Sequence, residues 1–320
     1  MDWMNEIDPA RLPIGLRALK TVSTIERPLH PTQVKTFELL QQLFLKSAIG
    51  LDTLASITLD EVAAVLPAGE PRTRLVRGLV LMSLMRGEVS TIESATIASW
   101  ARGLGVDEPG VLNLERLADG HLALLRFDVN RRAFTGQAIA EEREKTGLLG
   151  LLRAAASRMG LKEDEATVER FASLEQYPEG TLGRELAEYY HRNHFPMPGR
   201  KHALPSVGVV HDLCHVLSGY GVDGDGEVEV VAFTSGFLKR DPLSTVMFIV
   251  LQAQLDVQLV AIAGSRAHAL DDPKLLERAF KAARRGAQLE RDLFDHWDYW
   301  PELARPIADV RRDLNVPPAD

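Results

Sequence analysis

The chain has one cysteine in 320 residues, Cys214. No intramolecular disulfide can form, and a lone thiol suits a reducing compartment. There is no basic excess: 37 Lys and Arg against 45 Asp and Glu leave a net charge of −8. That is the wrong sign for a nucleic-acid binder, which carries a basic face. P-loop and Gly-x-Ser-x-Gly patterns are missing, so nucleotide-phosphate and serine-hydrolase chemistry have no support. The longest apolar stretch, VMFIVLQAQLDVQLVAIAG (246–264), is broken by Gln252, Gln254, Asp256 and Gln258. A membrane span wants ~20 mostly apolar residues with few or no charges, so this stretch reads as a buried core helix. The opening residues MDWMNEIDPARLP lack a basic start followed by an apolar run and do not read as a secretory signal. Period-two alternation is scarce, which argues against half-buried sheet.

What the chain does have is helical period. Hydrophobic content of 45% and charged content of 26% are those of an ordinary globular protein. The length allows two domains at about 100–200 residues each, and the sequence predicts an all-α fold in two helical domains, 1–135 and 145–320. In the first half, helices are predicted over 32–50, 58–66, 70–86, 90–104, 109–118 and 119–127. Thr58–Glu61 and Ser90–Glu93 are capping boxes. Asp241-Pro242 and Asp272-Pro273 each place a cap before a proline at the first helical position. The polar segment 128–146 reads as a linker or connecting helix. The second half should hold an apolar helix over 243–263 and a last long helix over 273–298 with a solvated charged face.

Chemistry concentrates in VVHDLCHVLSGYGVDGDGEVEV (209–230). His211, Asp212 and His215 fall within one predicted helix, where i and i+4 share a face. Gly219, Gly221, Gly224 and Gly226 allow the chain to reverse, so that Glu227 returns to the same spot from a second helix. The pattern is His-Asp-x-x-His-x11-Glu: two imidazoles and two carboxylates converging as divalent-metal ligands. A bare His pair would more often be two surface histidines; the adjacent Asp and the returning Glu tip the balance. A calcium loop starting at Asp223 fails, because Val228 and Thr234 stand where glycine and glutamate are required. Cys214 faces away from the ligand side and reads as a small core residue.

Other groups are weaker. Arg200, Lys201 and His202, on a proline-rich loop upstream of His211, could hold a phosphate or carboxylate head group; the plainer reading is a solvated loop. Gln252 and Asp256, four apart, could stand behind a ligand histidine. His191 and His194 read as solvent-exposed or packing residues.

The stretch from 145 to 315, about half of the chain, resembles the ubiquinone (coenzyme Q) biosynthesis family, the fourth of the Coq proteins. The likeness rests on VHDLCHVLSGYG with its Glu227 spacing and on PEGTLGRELAEYYHRNHF (178–195) upstream. It implies that His211, Asp212, His215 and Glu227 hold a divalent metal, zinc or iron. It also implies an isoprenoid or quinone-type lipid as partner, with decarboxylation and oxidation of a prenylated aromatic ring as the chemistry. Arg200, Lys201 and Asp256 are the candidate substrate contacts, and the 243–263 helix would line a groove for the tail. The departures are an acidic, glycine-rich loop and Cys214 in a slot where an aromatic is common. RLVRGLVLMSLMRGEVSTIESATIASWARGLGV resembles a TerB-like helical module. Arg86 stands there where an acidic metal ligand is usual, so a packing or protein-partner surface is the expectation for that half. The alternative is a non-catalytic lipid-binding or scaffold protein with a structural zinc. The expected location is cytoplasmic, with peripheral contact at the inner membrane face and homo-oligomerisation both compatible with the sequence.

Overall fold

A computed structural model describes residues 8–159, 163–203, 208–260 and 264–318, without the side chains of 151 and 153–158. It contains fifteen α-helices among the described residues. The first seven are α1 (Leu12–Ser23), α2 (Pro31–Leu40), α3 (Leu59–Val65), α4 (Glu70–Leu84), α5 (Thr91–Leu104), α6 (Pro109–Ala118) and α7 (Leu122–Arg132). Then come α8 (Phe134–Arg158), α9 (Glu165–Ala172), α10 (Leu182–Arg192), α11 (Val209–Ser218), α12 (Gly224–Phe237), α13 (Pro242–Ala253), α14 (Pro273–Gly286) and α15 (Ile307–Asp313). The described residues form no strand, only isolated bridges between Thr181 and Pro306 and between Leu255 and Ala267. No helix among them is long and apolar enough to cross a membrane.

The starts follow the sequence signals. Thr58 and Glu61 make a reciprocal capping box, with the Glu61 amide on Thr58 Oγ1 at 3.3 Å and the Thr58 amide on Glu61 Oε2 at 2.7 Å. Asp241 and Asp272 cap α13 and α14 ahead of their prolines. The box at Ser90 is only half made. Ser90 Oγ accepts the Glu93 amide at 3.0 Å, but the Glu93 side chain is buried and turned toward Arg86 and Ser83. Arg86 is itself buried and donates to the carbonyls of Ser23 and Pro28, both at 3.0 Å.

Three helices are shorter than their periodicity suggested. The 32–50 helix stops at Leu40, where a π-helical turn over Gln41–Leu45 runs into Lys46 in the left-handed region. The 243–263 helix stops at Ala253, because two buried glutamines are used by the backbone of a returning loop. Gln252 Oε1 accepts the amides of Leu259 (3.2 Å) and Val260 (3.3 Å), and Gln254 Oε1 accepts that of Leu270 at 3.0 Å. Asp256, on that loop, has φ +52° and is exposed, so it shares no helical face with Gln252. The 273–298 helix stops at Gly286. Leu289, Leu293 and Trp297 keep a helical spacing and are buried, but irregular turns carry them, with Asp292 accepting the amides of Lys239 and Phe294, both at 2.9 Å.

Among the described residues, nearly all buried hydrophobic residues join one cluster that runs from Leu12 to Val316. The segment expected as a linker or connecting helix is helical, and Phe134 within it is buried. Polar ties cross the same line: Asn130 Nδ2 donates to the Leu259 carbonyl at 2.9 Å and Gln254 Nε2 to that of Met85 at 3.4 Å.

α12, which carries Glu227, is pressed against α14 at backbone distance. A Cβ on Gly286 would lie 1.9 Å from the Phe233 carbonyl oxygen, and one on Gly236 would lie 2.3 Å from that of Ala283. Neither obstacle is a flexible side chain, so the helices would have to separate. Gly286→Ala should therefore destabilise the protein by about 1–3 kcal/mol, the usual cost of overpacking, as read by denaturant unfolding. An unchanged midpoint would mean that α12 and α14 are not in backbone contact.

Candidate metal centre

α11 presents His211 and His215 one turn apart. It ends at Gly219, whose φ of +81° reverses the chain. Asp223 then caps α12 by accepting the Gly226 amide at 2.8 Å. Gly226 has to be glycine, since a Cβ there would lie 2.2 Å from the Gly221 carbonyl oxygen. This tight return places Glu227 opposite the histidine pair. Asp225, next to that cap, accepts from Arg266 at 2.9 Å and Arg278 at 2.8 Å.

The last turn of α11 is clamped from outside. Helix ends leave carbonyls without intrahelical partners, and here two arginines supply the donors. Arg285 Nη1 reaches the Ser218 carbonyl at 2.7 Å. Arg311 reaches those of Leu217 and Val216, both at 2.9 Å. Cations at a helix C-terminus are also favoured by its dipole.

Three side chains meet at the mouth of this hairpin. His211 Nε2 lies 3.4 Å from Glu227 Oε2, His215 Nε2 lies 3.4 Å from Glu227 Oε1, and the two Nε2 atoms are 3.3 Å apart. Ligand atoms at ~2.0–2.1 Å from a zinc-sized ion stand about 3.3–3.4 Å apart in a tetrahedral arrangement. Each imidazole meets its own Glu227 oxygen at a separation in that range, and the three residues could hold a metal ion. The Glu227 side chain is 33% exposed while His215 is 1% exposed, so the triangle is open on the glutamate side. His215 Nδ1 faces the Tyr220 carbonyl at 3.2 Å; donating there leaves Nε2 bare toward the site. His211 Nδ1 is buried without a partner, and its ring is fixed by stacking on Phe134 (centroids 5.4 Å apart).

Asp212 is not part of that triangle. It is buried on α11, and its Oδ2 accepts from the Tyr190 hydroxyl at 2.7 Å. Burial pushes the Asp212 carboxyl upward. The neighbouring Tyr189 stacks on His215 with centroids 5.7 Å apart. Burial and the Asp212 charge raise both tyrosine pKa values, so both hydroxyls keep their protons. Tyr189, Tyr190 and Phe134 went unread in the sequence. The available signal was adjacent tyrosines one helix upstream, because a buried tyrosine hydroxyl needs a partner.

The remaining candidates lie elsewhere. Arg200, Lys201 and His202 are exposed on the loop before α11, and residues 204–207, which complete that loop, lie outside the described residues. His191 pairs with Glu175 at 2.9 Å on the surface. Cys214 is fully buried, and burial pushes its thiol up to about 12. A second group, Glu141, Asp295 and His296, also converges, but its carboxylates are already matched by Lys145 and Arg240. Comparison with protein-family models and with curated proteins finds no match.

Metal content should fall to background in His211→Ala, His215→Ala and Glu227→Ala, and stay near one ion per chain in Asp212→Asn. Elemental analysis of the four purified variants decides this; loss in Asp212→Asn alone would assign the site a different ligand set. The pH response has a definite sign. Burial pulls the His211 pKa down, but Glu227 and Asp212 outweigh it, and the net shift is upward from 6.5. In metal-free protein that stabilisation is complete below 6.5 and is lost as pH rises through the raised value. Burial raises the Glu227 pKa, but the two histidines outweigh it and hold it at about 2. The Glu227 contribution is present above the ordinary 4.5 and is lost as pH falls toward about 2. A metal needs both imidazoles unprotonated, so its stabilisation grows as pH rises above 6.5. Thermal melts with and without zinc across this range should diverge; parallel curves would rule the site out.

Proposed function

We propose that this protein is a metal-dependent protein of ubiquinone-biosynthesis type, acting on a prenylated aromatic quinone precursor or a related isoprenoid lipid. The observation that carries the reading is the three-ligand triangle of His211, His215 and Glu227. Three protein ligands leave a coordination position for substrate, whereas structural sites are closed by four. A zinc or iron ion there would supply Lewis acidity to a ring oxygen. The chain's own groups handle protons and shape. Asp212, buried and held by Tyr190, is a carboxyl next to the site whose proton affinity is raised, as a group that takes up and returns a proton requires. Phe134 and Tyr189, buried and stacked on the two ligand rings, hold those imidazoles in place.

A place for an apolar tail also supports the reading. α13 turns Leu243 and Val246 to a cavity of about 170 Å³, shared with Leu12, Leu16 and Leu75 of α1 and α4. The same helix packs Phe248 edge-on against Phe134 (centroids 5.4 Å apart), the residue that stacks on His211. The second reading, a lipid-binding scaffold with a structural zinc, rests on Asp212: it is buried one residue from His211 and could close the site as a fourth ligand.

Metal-loaded protein should convert a prenylated hydroxybenzoate in the presence of oxygen with release of carbon dioxide, and His215→Ala should abolish this. A rise in melting temperature with the prenylated compound but no turnover would favour the scaffold. Neither turnover nor a shift would refute both.

A further inference from the structure

The cavity lined by α1, α4 and α13 is apolar over most of its wall, with Leu16, Leu19 and Leu75 buried around it. Gly15 of α1 also lines it, and a Cβ there would meet nothing within 4 Å. A glycine inside a helix lowers stability relative to alanine. Here it leaves the cavity open at a point where a side chain would fit.

The charged residues that face the cavity are Arg11, Arg74 and Arg77 against one carboxylate, Asp8. Arg74 Nε is taken by Glu70 at 3.1 Å, and Arg77 Nε by the buried Glu108 at 2.7 Å; both acids lie outside the lining. A guanidinium carries five N–H donors. The outer nitrogens of Arg77 come no nearer to Glu70 than 3.9 Å and make no hydrogen bond among the described residues. Arg11 meets only Asp8, at 3.3 Å, among the described residues. Donors are therefore left over on two guanidiniums beside an apolar hole. Their forked geometry suits a carboxylate, and their aliphatic stems extend the apolar wall toward the charge.

Size limits the occupant. A dry cavity of ~150 Å³ takes up a benzene-sized molecule, so 170 Å³ has room for about six to eight carbons. We infer that this cavity binds a medium-chain fatty acid, about eight to ten carbons long, with its carboxylate on Arg11 and Arg77. The inference goes beyond the tail site offered above: the charged end of this ligand lies at the arginines, so binding needs no metal.

Calorimetric titration of the full chain with decanoate and with 1-decanol tests it. Decanoate should bind once per chain, at least about tenfold tighter than the alcohol, which brings no charge to the guanidiniums. Gly15→Leu should abolish binding without lowering the melting temperature, because the new side chain fills the space. Arg11→Gln should weaken decanoate and leave the alcohol unchanged. Chelator-treated protein should bind decanoate as well as untreated protein does. Wild type that neither takes up decanoate nor releases such an acid on denaturation overturns the proposal, as does undiminished binding in folded Gly15→Leu. Equal affinity for acid and alcohol overturns it too, since the arginines would then select nothing. Loss of binding on chelation overturns it in favour of the metal centre's own substrate, which separates its failure from that of the function proposed above.

Discussion

The metal centre depends on how the last turn of α11 is held. Carbonyls at a buried helix end must find donors or cost free energy, and those of Val216, Leu217 and Ser218 find them in Arg311 and Arg285. Arg285 comes from α14 and also donates to the Pro317 carbonyl at 2.7 Å. The end of the ligand helix, the segment at Pro317 and α14 are thereby tied at one point. α14 in turn packs on α12 through Gly236 and Gly286 without intervening side chains. The spacing between the histidine pair and Glu227 is thus set by backbone contacts and guanidinium forks, which are stiffer than packing between side chains.

Around that frame the two imidazoles are held differently. His215 has a backbone acceptor for its outer nitrogen, in Tyr220, and a stacked tyrosine. His211 has only ring stacking, and its outer nitrogen is an orphan. Two imidazole nitrogens and a carboxylate at 3.3–3.4 Å are strained company without a cation among them, since bare lone pairs repel and a proton can satisfy only one contact well. The raised His211 pKa and the depressed Glu227 pKa express the same tension.

The centre was legible where its residues are close in sequence. The i, i+4 histidines, the glycine turn and the returning Glu227 lie within 17 residues, His211 to Glu227, and local geometry brings them together. Helix starts were legible for the same reason, because a cap acts within one turn. What long-range contact decides was not. Phe134 lay in a stretch that read as a linker or connecting helix, and only the fold stacks it on His211. Asp212 shares a helix with the ligands, but Tyr190 takes its Oδ2. Helical spacing at Leu289, Leu293 and Trp297 persisted past Gly286 although the chain had left the helix. Gln252 and Gln254 were visible as odd polar residues in an apolar run, yet their use as acceptors for a returning loop needs that loop to be seen. Two domains were read from length and from a polar segment; that the described buried residues join one cluster is a property of packing that neither reports.

X-ray absorption spectroscopy at the edge of the metal that co-purifies with the full chain tests the account most directly. The account predicts two imidazoles and one carboxylate oxygen at ~2.0–2.1 Å, with any further ligand a non-protein oxygen that exchanges with added anions. A shell containing sulfur, a single imidazole, or a second protein carboxylate from Asp212 would contradict it.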